Sequence, residues 1–137
     1  DTTFKINNDF DGSNLIKKID AGVEFFQTQY VFDKDILKNY MLKLNELHIT
    51  DIAYFIIGLG VIKSAKSARW MNKNLFGINI PEKIINRIEQ SNDEKLEGIK
   101  ICKELIEKYK SIKGVSGIHL MGYKQEKEIA SVISSFK

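Results

Sequence analysis

One cysteine, Cys102, stands alone in this sequence. It cannot form an internal disulfide, so a reducing compartment, the cytoplasm, is the expected setting. No apolar run approaches membrane-spanning length and no signal-peptide pattern opens the chain; no membrane is expected among its partners. An excess of one charge is lacking too. The 21 basic and 18 acidic residues leave a net charge of +3, too small and too scattered to argue for nucleic acid. The densest basic stretch, Lys63 to Arg69, is spaced by Ser and Ala and reads as a solvated face, with a phosphate contact as the alternative. Two distant histidines and one cysteine make no metal-ligand cluster. No Ser or Cys sits in a nucleophile elbow. Gly58 and Gly60 lack the third glycine of a dinucleotide fingerprint. The first residue is Asp1 rather than Met, and the native protein is expected to begin upstream.

What is present is a repeated alternation of short β-rich runs and amphipathic helical runs, four times over in 137 residues and without an internal linker. The first strand is expected at Thr3 to Asn7. A turn at Asp9 to Gly12 leads to a helix with Leu15, Ile16 and Ile19 on one side, stopped at Gly22. The second strand is expected at Val23 to Tyr30, and Asp33 caps a helix running to Leu47. In that helix Ile36, Leu37, Tyr40, Met41, Leu44 and Leu47 form the buried stripe. The third strand, Ile52 to Ile57, is almost continuously apolar, as strands buried on both faces are. Helices from Ser64 to Asn74 and from Pro81 onward follow, proline being tolerated in a first turn. A longer helix spans Asn92 to Ile112 with Leu96, Ile99, Cys102, Leu105, Ile106 and Tyr109 inward. Cys102 there reads as a small buried hydrophobe. The fourth strand is Val115 to Met121 and the closing helix Gln125 to Phe136.

Such alternation predicts an α/β fold with parallel strands, either a doubly wound sheet or part of a barrel. A complete (β/α)8 barrel takes about 250 residues, so four βα units are half of one. In both architectures ligands bind at the C-terminal strand ends. There the second strand offers Gln27 and Gln29, placed on one side by alternation. An inward glutamine can bind an amide-rich heterocycle through donor and acceptor together, or simply pair with its neighbours. Asp11, Asn14 and Lys18 share a helix face if the helix begins at Asp11. They read as an N-cap plus a solvated face, or as groups for a sugar hydroxyl, a polar ring and a phosphate. The loop from Gly58 to Ala65 reads as a flexible lid or a plain connection. His119, within the fourth strand, reads as a satisfied core residue. His48, at a helix end, suits the helix dipole.

These residues also carry a resemblance. The run from Lys17 to Gln29 (KKIDAGVEFFQTQ), its continuation Tyr30 to Asp33, the segment Ser64 to Asn72, the run Gly77 to Pro81 and the strand Gly114 to Gly122 resemble, in order, the methylenetetrahydrofolate reductase family, in a prokaryotic subgroup. The resemblance covers nearly the whole chain. It implies the C-terminal half of a (β/α)8 TIM barrel, residues 1–137 as one segment corresponding to strands five to eight, with the N-terminal half absent. It implies an oxidoreductase of one-carbon metabolism and methionine biosynthesis. Such an enzyme reduces 5,10-methylenetetrahydrofolate to 5-methyltetrahydrofolate with NADH or NADPH as donor and FAD as hydride relay. Asp11, Asn14 and Lys18 match the family's flavin contacts. Gln29 matches the pterin-binding glutamine, and Met121 and Tyr123 match the strand end bordering folate and flavin. Gly60, Lys63 and Ser64 fall in the lid, with Gly60 where many members have proline. The family's catalytic acid lies on the first barrel strand, so no catalytic residue is expected in this segment. A homo-oligomer is expected, because a two-fold pair of half-barrels closes both open edges. From a different class, the alternative is a non-catalytic half-barrel that binds a folate or nucleotide as an accessory domain.

Overall fold

A computed structural model describes residues 10–137; the strand expected at Thr3 to Asn7 lies outside them. Helix α1, Ser13–Asp20, begins after Gly12, whose φ of 74° is in the left-handed region. The helix therefore starts two residues later than the reading that put Asp11 on its face. It stops where expected. Gly22 N–H donates to Ile19 O and Val23 N–H to Lys18 O, the paired bonds of a Schellman end, which the glycine at φ 102° permits.

Strand β1, Phe25–Tyr30, leads to α2, Lys34–Glu46. The Asp33 carboxylate accepts the N–H groups of Asp35 and Ile36, as a helix cap should. Leu37, Tyr40, Met41 and Leu44 are buried along one stripe. A 3₁₀ turn, Ile49–Asp51, enters β2, Tyr54–Leu59. Helix α3, Ala65–Asn74, carries a reciprocal capping box between Ser64 and Ser67. Helices α4, Glu82–Glu89, and α5, Glu94–Lys110, follow. Strand β3, Gly117–Leu120, and α6, Glu126–Ser134, close the chain. The strands order β1-β2-β3, and both pairings are parallel. The described residues thus form an α/β fold of three parallel strands and six α-helices.

Two sequence expectations change. The stripe of α5 runs through Gly98, Ile101, Cys102, Leu105, Ile106 and Tyr109, while Leu96 is exposed. The cause is Gly98: a Cβ there would collide with the Ile62 carbonyl oxygen, so this face meets the chain backbone and Leu96 turns outward. The second change concerns β2. Phe55, Ile57 and Leu59 are fully buried in one core with the inward residues of α2, α4 and α5. The other face is uncovered among the described residues: Tyr54 is 67% and Phe25 55% exposed. Strand β2 is therefore apolar throughout but buried on one face, unlike a strand of a doubly wound sheet, which helices cover on both.

Candidate functional site

The C-terminal strand ends are shaped by an irregularity in β1. Gln27 pairs with Ile56, but the next paired residue is Tyr30, opposite Gly58. Thr28 and Gln29 together oppose Ile57, which is the count of a bulge. The Thr28 hydroxyl accepts Gly58 N–H at 2.9 Å and donates to Gln29 O at 2.8 Å, supplying the ladder bond that the extra residue displaces. Alternation across Gln27 and Gln29 is thereby broken, and the two do not share a side by the two-residue rule. Gln29 is half-buried, and its Oε1 accepts the N–H of Tyr30 at 3.0 Å. Its Nε2 has no hydrogen-bond partner among the described residues.

Beyond these ends lies a cleft of about 250 Å³ between Tyr30 and Phe32, the segment Gly60–Lys63, helix α3 through Ser67 and Trp70, and Tyr123 and Gln125 after β3. Gly60, expected in the lid, is tightly packed. A Cβ there would lie 2.5 Å from Met121 O and 2.7 Å from the Tyr30 ring, so glycine permits a close approach of three segments. Val61 and Ile62 are buried. The buried Gln125 amide donates to Val61 O at 2.9 Å and pins the loop to the end of β3. Ser64 is occupied as the cap of α3. Lys63 lies at the rim, its Nζ donating to Tyr123 O at 3.5 Å and Lys124 O at 3.4 Å. Met121 continues β3 through its N–H to Leu59 O at 2.8 Å. Tyr123 is 80% exposed. Burial raises the Tyr30 phenol above the usual tyrosine range, so it is a neutral O–H at physiological pH.

The structure brings Gln29, Gly60, Lys63, Ser64, Met121 and Tyr123 to one end of the sheet. It does not bring Asp11, Asn14 and Lys18 to them. Gly12 packs against Leu47 and Ile49, beside the turn that enters β2 at its other end. Asp11 precedes α1, and its carboxylate accepts Ser13 N–H at 2.9 Å, which holds its pKa below the ordinary carboxylate value. Asn14 and Lys18, one turn apart, are exposed and make no hydrogen bond from their side chains to the described residues.

His119 is not a core residue. It is exposed on the uncovered face, and Gln27 Nε2 lies 2.6 Å from its Nδ1. His48 adopts a left-handed φ of 57° and pairs with Asp51 at 3.0 Å. Cys102 is buried and free, its thiol pushed up to about 12 by desolvation, which fits a packing role rather than a nucleophile. Among the described residues no group of His, Cys, Asp or Glu could hold a metal ion, and no helix is long and apolar enough to cross a membrane.

Sequence reasoning passed over Tyr30, Trp70 and Gln125. Gln125 left one signal: it opens a helix where Ser, Thr, Asp or Asn would cap better, and its side chain makes no cap. Tyr30 and Trp70 reach the cleft through the bulge and the α3 packing, which no periodicity encodes.

Three parallel strands, helices packed on one face and a cleft past the C-terminal strand ends define a parallel α/β domain, a class that binds ligands at those ends. The sequence pattern of Methylenetetrahydrofolate reductase matches residues 5–137, and the chain belongs to that family. No curated protein matches it. Among solved structures, it is similar to an uncharacterized protein from Clostridium thermocellum that binds two copies of 5-methyl-5,6,7,8-tetrahydrofolic acid. The sequence identity is 21% and the TM-score 0.61, over 89% of this chain and 45% of that one. At that identity the likeness is one of fold. The chain spans less than half the length of that protein.

Proposed function

We propose that this chain is the C-terminal half of a (β/α)8 barrel, strands five to eight, in an oxidoreductase that reduces 5,10-methylenetetrahydrofolate to 5-methyltetrahydrofolate with NADH or NADPH. Its own share is to hold the folate at the C-terminal strand ends. The observation that carries this reading is the convergence of Gln29, with its unused amide donors, Lys63, Met121 and Tyr123 on that end of a parallel sheet. The uncovered face suits a barrel interior. The folate bound by the Clostridium thermocellum protein supports the same ligand class. Gln29 would orient the pterin ring, and Lys63 would meet the negative charge of the glutamate tail.

A flavin belongs to the reading through the family. Asn14 and Lys18 are exposed donors that lie away from the strand-end residues, so they would meet the phosphate-bearing arm of a flavin rather than its ring; Asp11 is already committed to Ser13. When bound, the flavin would relay hydride from the nicotinamide to the folate. Lys18→Ala is expected to weaken flavin retention in the full-length protein, read by flavin fluorescence on dilution. Equal retention would remove Lys18 from that role.

The test of the folate reading is calorimetric titration of 5-methyltetrahydrofolate into the wild type and Gln29→Ala. We expect binding that weakens about tenfold in the variant, which corresponds to about 1.4 kcal/mol. Equal affinities would show that Gln29 serves only the bulge. A second reading, a binding or accessory half-barrel without turnover, is favoured by the described cleft lining, which holds aromatic rings and one lysine but no acidic side chain. Folate binding with no folate-dependent NAD(P)H oxidation in the full-length protein would select it.

A further inference from the structure

Helices α2 and α5 pack side by side on the covered face of the sheet and leave a groove of about 440 Å³ between them. It shares no residue with the cleft at the strand ends. Its lining holds four lysines, Lys34, Lys38, Lys108 and Lys113, against one carboxylate, Asp35. That excess matches the net charge of +3 carried by the whole chain. None of the four lysines lies within ion-pair distance of a carboxylate among the described residues. Glu104, one turn before Lys108, is already taken by Arg87. The groove also has apolar walls: Leu42 is 57% exposed and Ile112 half-buried. Asn45, in the last turn of α2, donates to Lys113 O at 2.9 Å and accepts the Thr50 hydroxyl at 2.7 Å. This ties the turn after α5 to α2, so the two walls are set before a ligand arrives.

The spread of the charges selects the ligand. Lys34, Lys38 and Leu42 follow one another at four-residue steps along α2, over about 12 Å. Lys108 and Lys113 lie on the other wall. A phosphate or a single carboxylate is held by donors that converge on one point; these lysines are strung out along the groove beside apolar side chains. We propose that the groove docks an acidic amphipathic segment of a partner protein, with an apolar side chain against Leu42 and Ile112 and carboxylates along the lysines. An amphipathic helix laid in a groove meets both demands, since its apolar and acidic residues recur on neighbouring faces at helical spacing. The charges steer the encounter and set its salt dependence, while burial of Leu42 contributes affinity.

The test is fluorescence anisotropy on the whole chain with two synthetic probes of equal length. One is a peptide with leucine at every third or fourth position and glutamate elsewhere; the other is an oligoglutamate. The leucine-bearing probe should bind, more weakly as salt rises, and about tenfold more tightly than the oligoglutamate. Its affinity should fall about tenfold in Lys38→Glu and in Leu42→Asp. Both residues are exposed, and circular dichroism should show both variants folded. Lys127→Glu, which makes the same change of charge on an exposed position of α6, should leave binding unchanged. Equal weakening in Lys127→Glu would reduce the attraction to net charge and overturn the proposal. So would equal binding of the two probes, an unaffected Leu42→Asp, or no binding of the leucine-bearing probe. If Leu42→Asp instead dissociates oligomers of the wild type in sedimentation, a second copy covers the groove and the proposal of a separate partner fails.

Discussion

The Tyr109 hydroxyl donates to the carbonyl oxygen of Val31 at 2.7 Å, with both residues buried. This bond ties the last turns of α5 to the segment that leaves β1, directly beneath the cleft residue Phe32. Desolvation raises the phenol well above the usual tyrosine range, so it remains a donor throughout the physiological range. Tyr109→Phe keeps the ring volume and removes only the donor, leaving a buried carbonyl unpaired. The expected cost is about 1–3 kcal/mol, measured by urea unfolding with an unchanged slope. A loss below about 0.5 kcal/mol would mean that water replaces the bond.

Gly98→Ala should destabilise the protein, against the usual helix preference. In a free helix alanine gains about 1 kcal/mol over glycine. Here the new methyl would occupy the position of Ile62 O, a backbone atom of the loop that also receives Gln125. Overpacking of this kind costs about 1–3 kcal/mol and should also weaken folate binding by displacing Val61. A thermal midpoint equal to or above that of the wild type would show that α5 can move away freely.

Arg87 joins α4 to α5 through a two-pronged contact with Glu104, at 2.6 and 2.8 Å, and a third bond to Glu97 at 2.7 Å. The Arg87 side chain holds the Glu104 carboxyl below its ordinary value of 4.5. A carboxyl depressed by folding adds stability that is complete above its unfolded value and is lost as pH falls through the folded one. The wild type should therefore lose stability below pH ~4.5 more steeply than Glu104→Gln. The side chains are 41% and 47% exposed, so the contribution at neutral pH is discounted for screening to about 0.5–1 kcal/mol, smaller in high salt. Parallel acid-unfolding curves for the two proteins would refute the assignment.

The uncovered sheet face predicts association. Phe25, Tyr54 and half-buried Ile56 line one side of three strands, and apolar surface of that kind draws a partner. Sedimentation of the 137-residue chain should show dimers or larger species, and Tyr54→Lys should shift them toward monomer. A wild-type monomer at high micromolar concentration would show that the face is satisfied within the chain.

Much of the architecture was legible in the residues. The α2 stripe of Leu37, Tyr40, Met41 and Leu44, the Asp33 cap and the Gly22 stop all act through neighbours within a few positions, and local spacing reports them directly. Burial of Cys102 followed from its apolar flank. The order of strand-end motifs was enough for the family, because it depends only on sequence. The structure decided what depends on distant partners. The bulge at Thr28 and Gln29 is set by pairing with β2, so simple alternation misjudged Gln29. The exposure of Leu96 and the close packing around Gly60 follow from backbone approaches across 30 residues or more, at Ile62 and Met121. The meeting of Gln27 with His119, separated by 92 positions, requires two crossovers. Periodicity carries information along one element; which elements lie side by side, and how closely, is settled only when the chain packs.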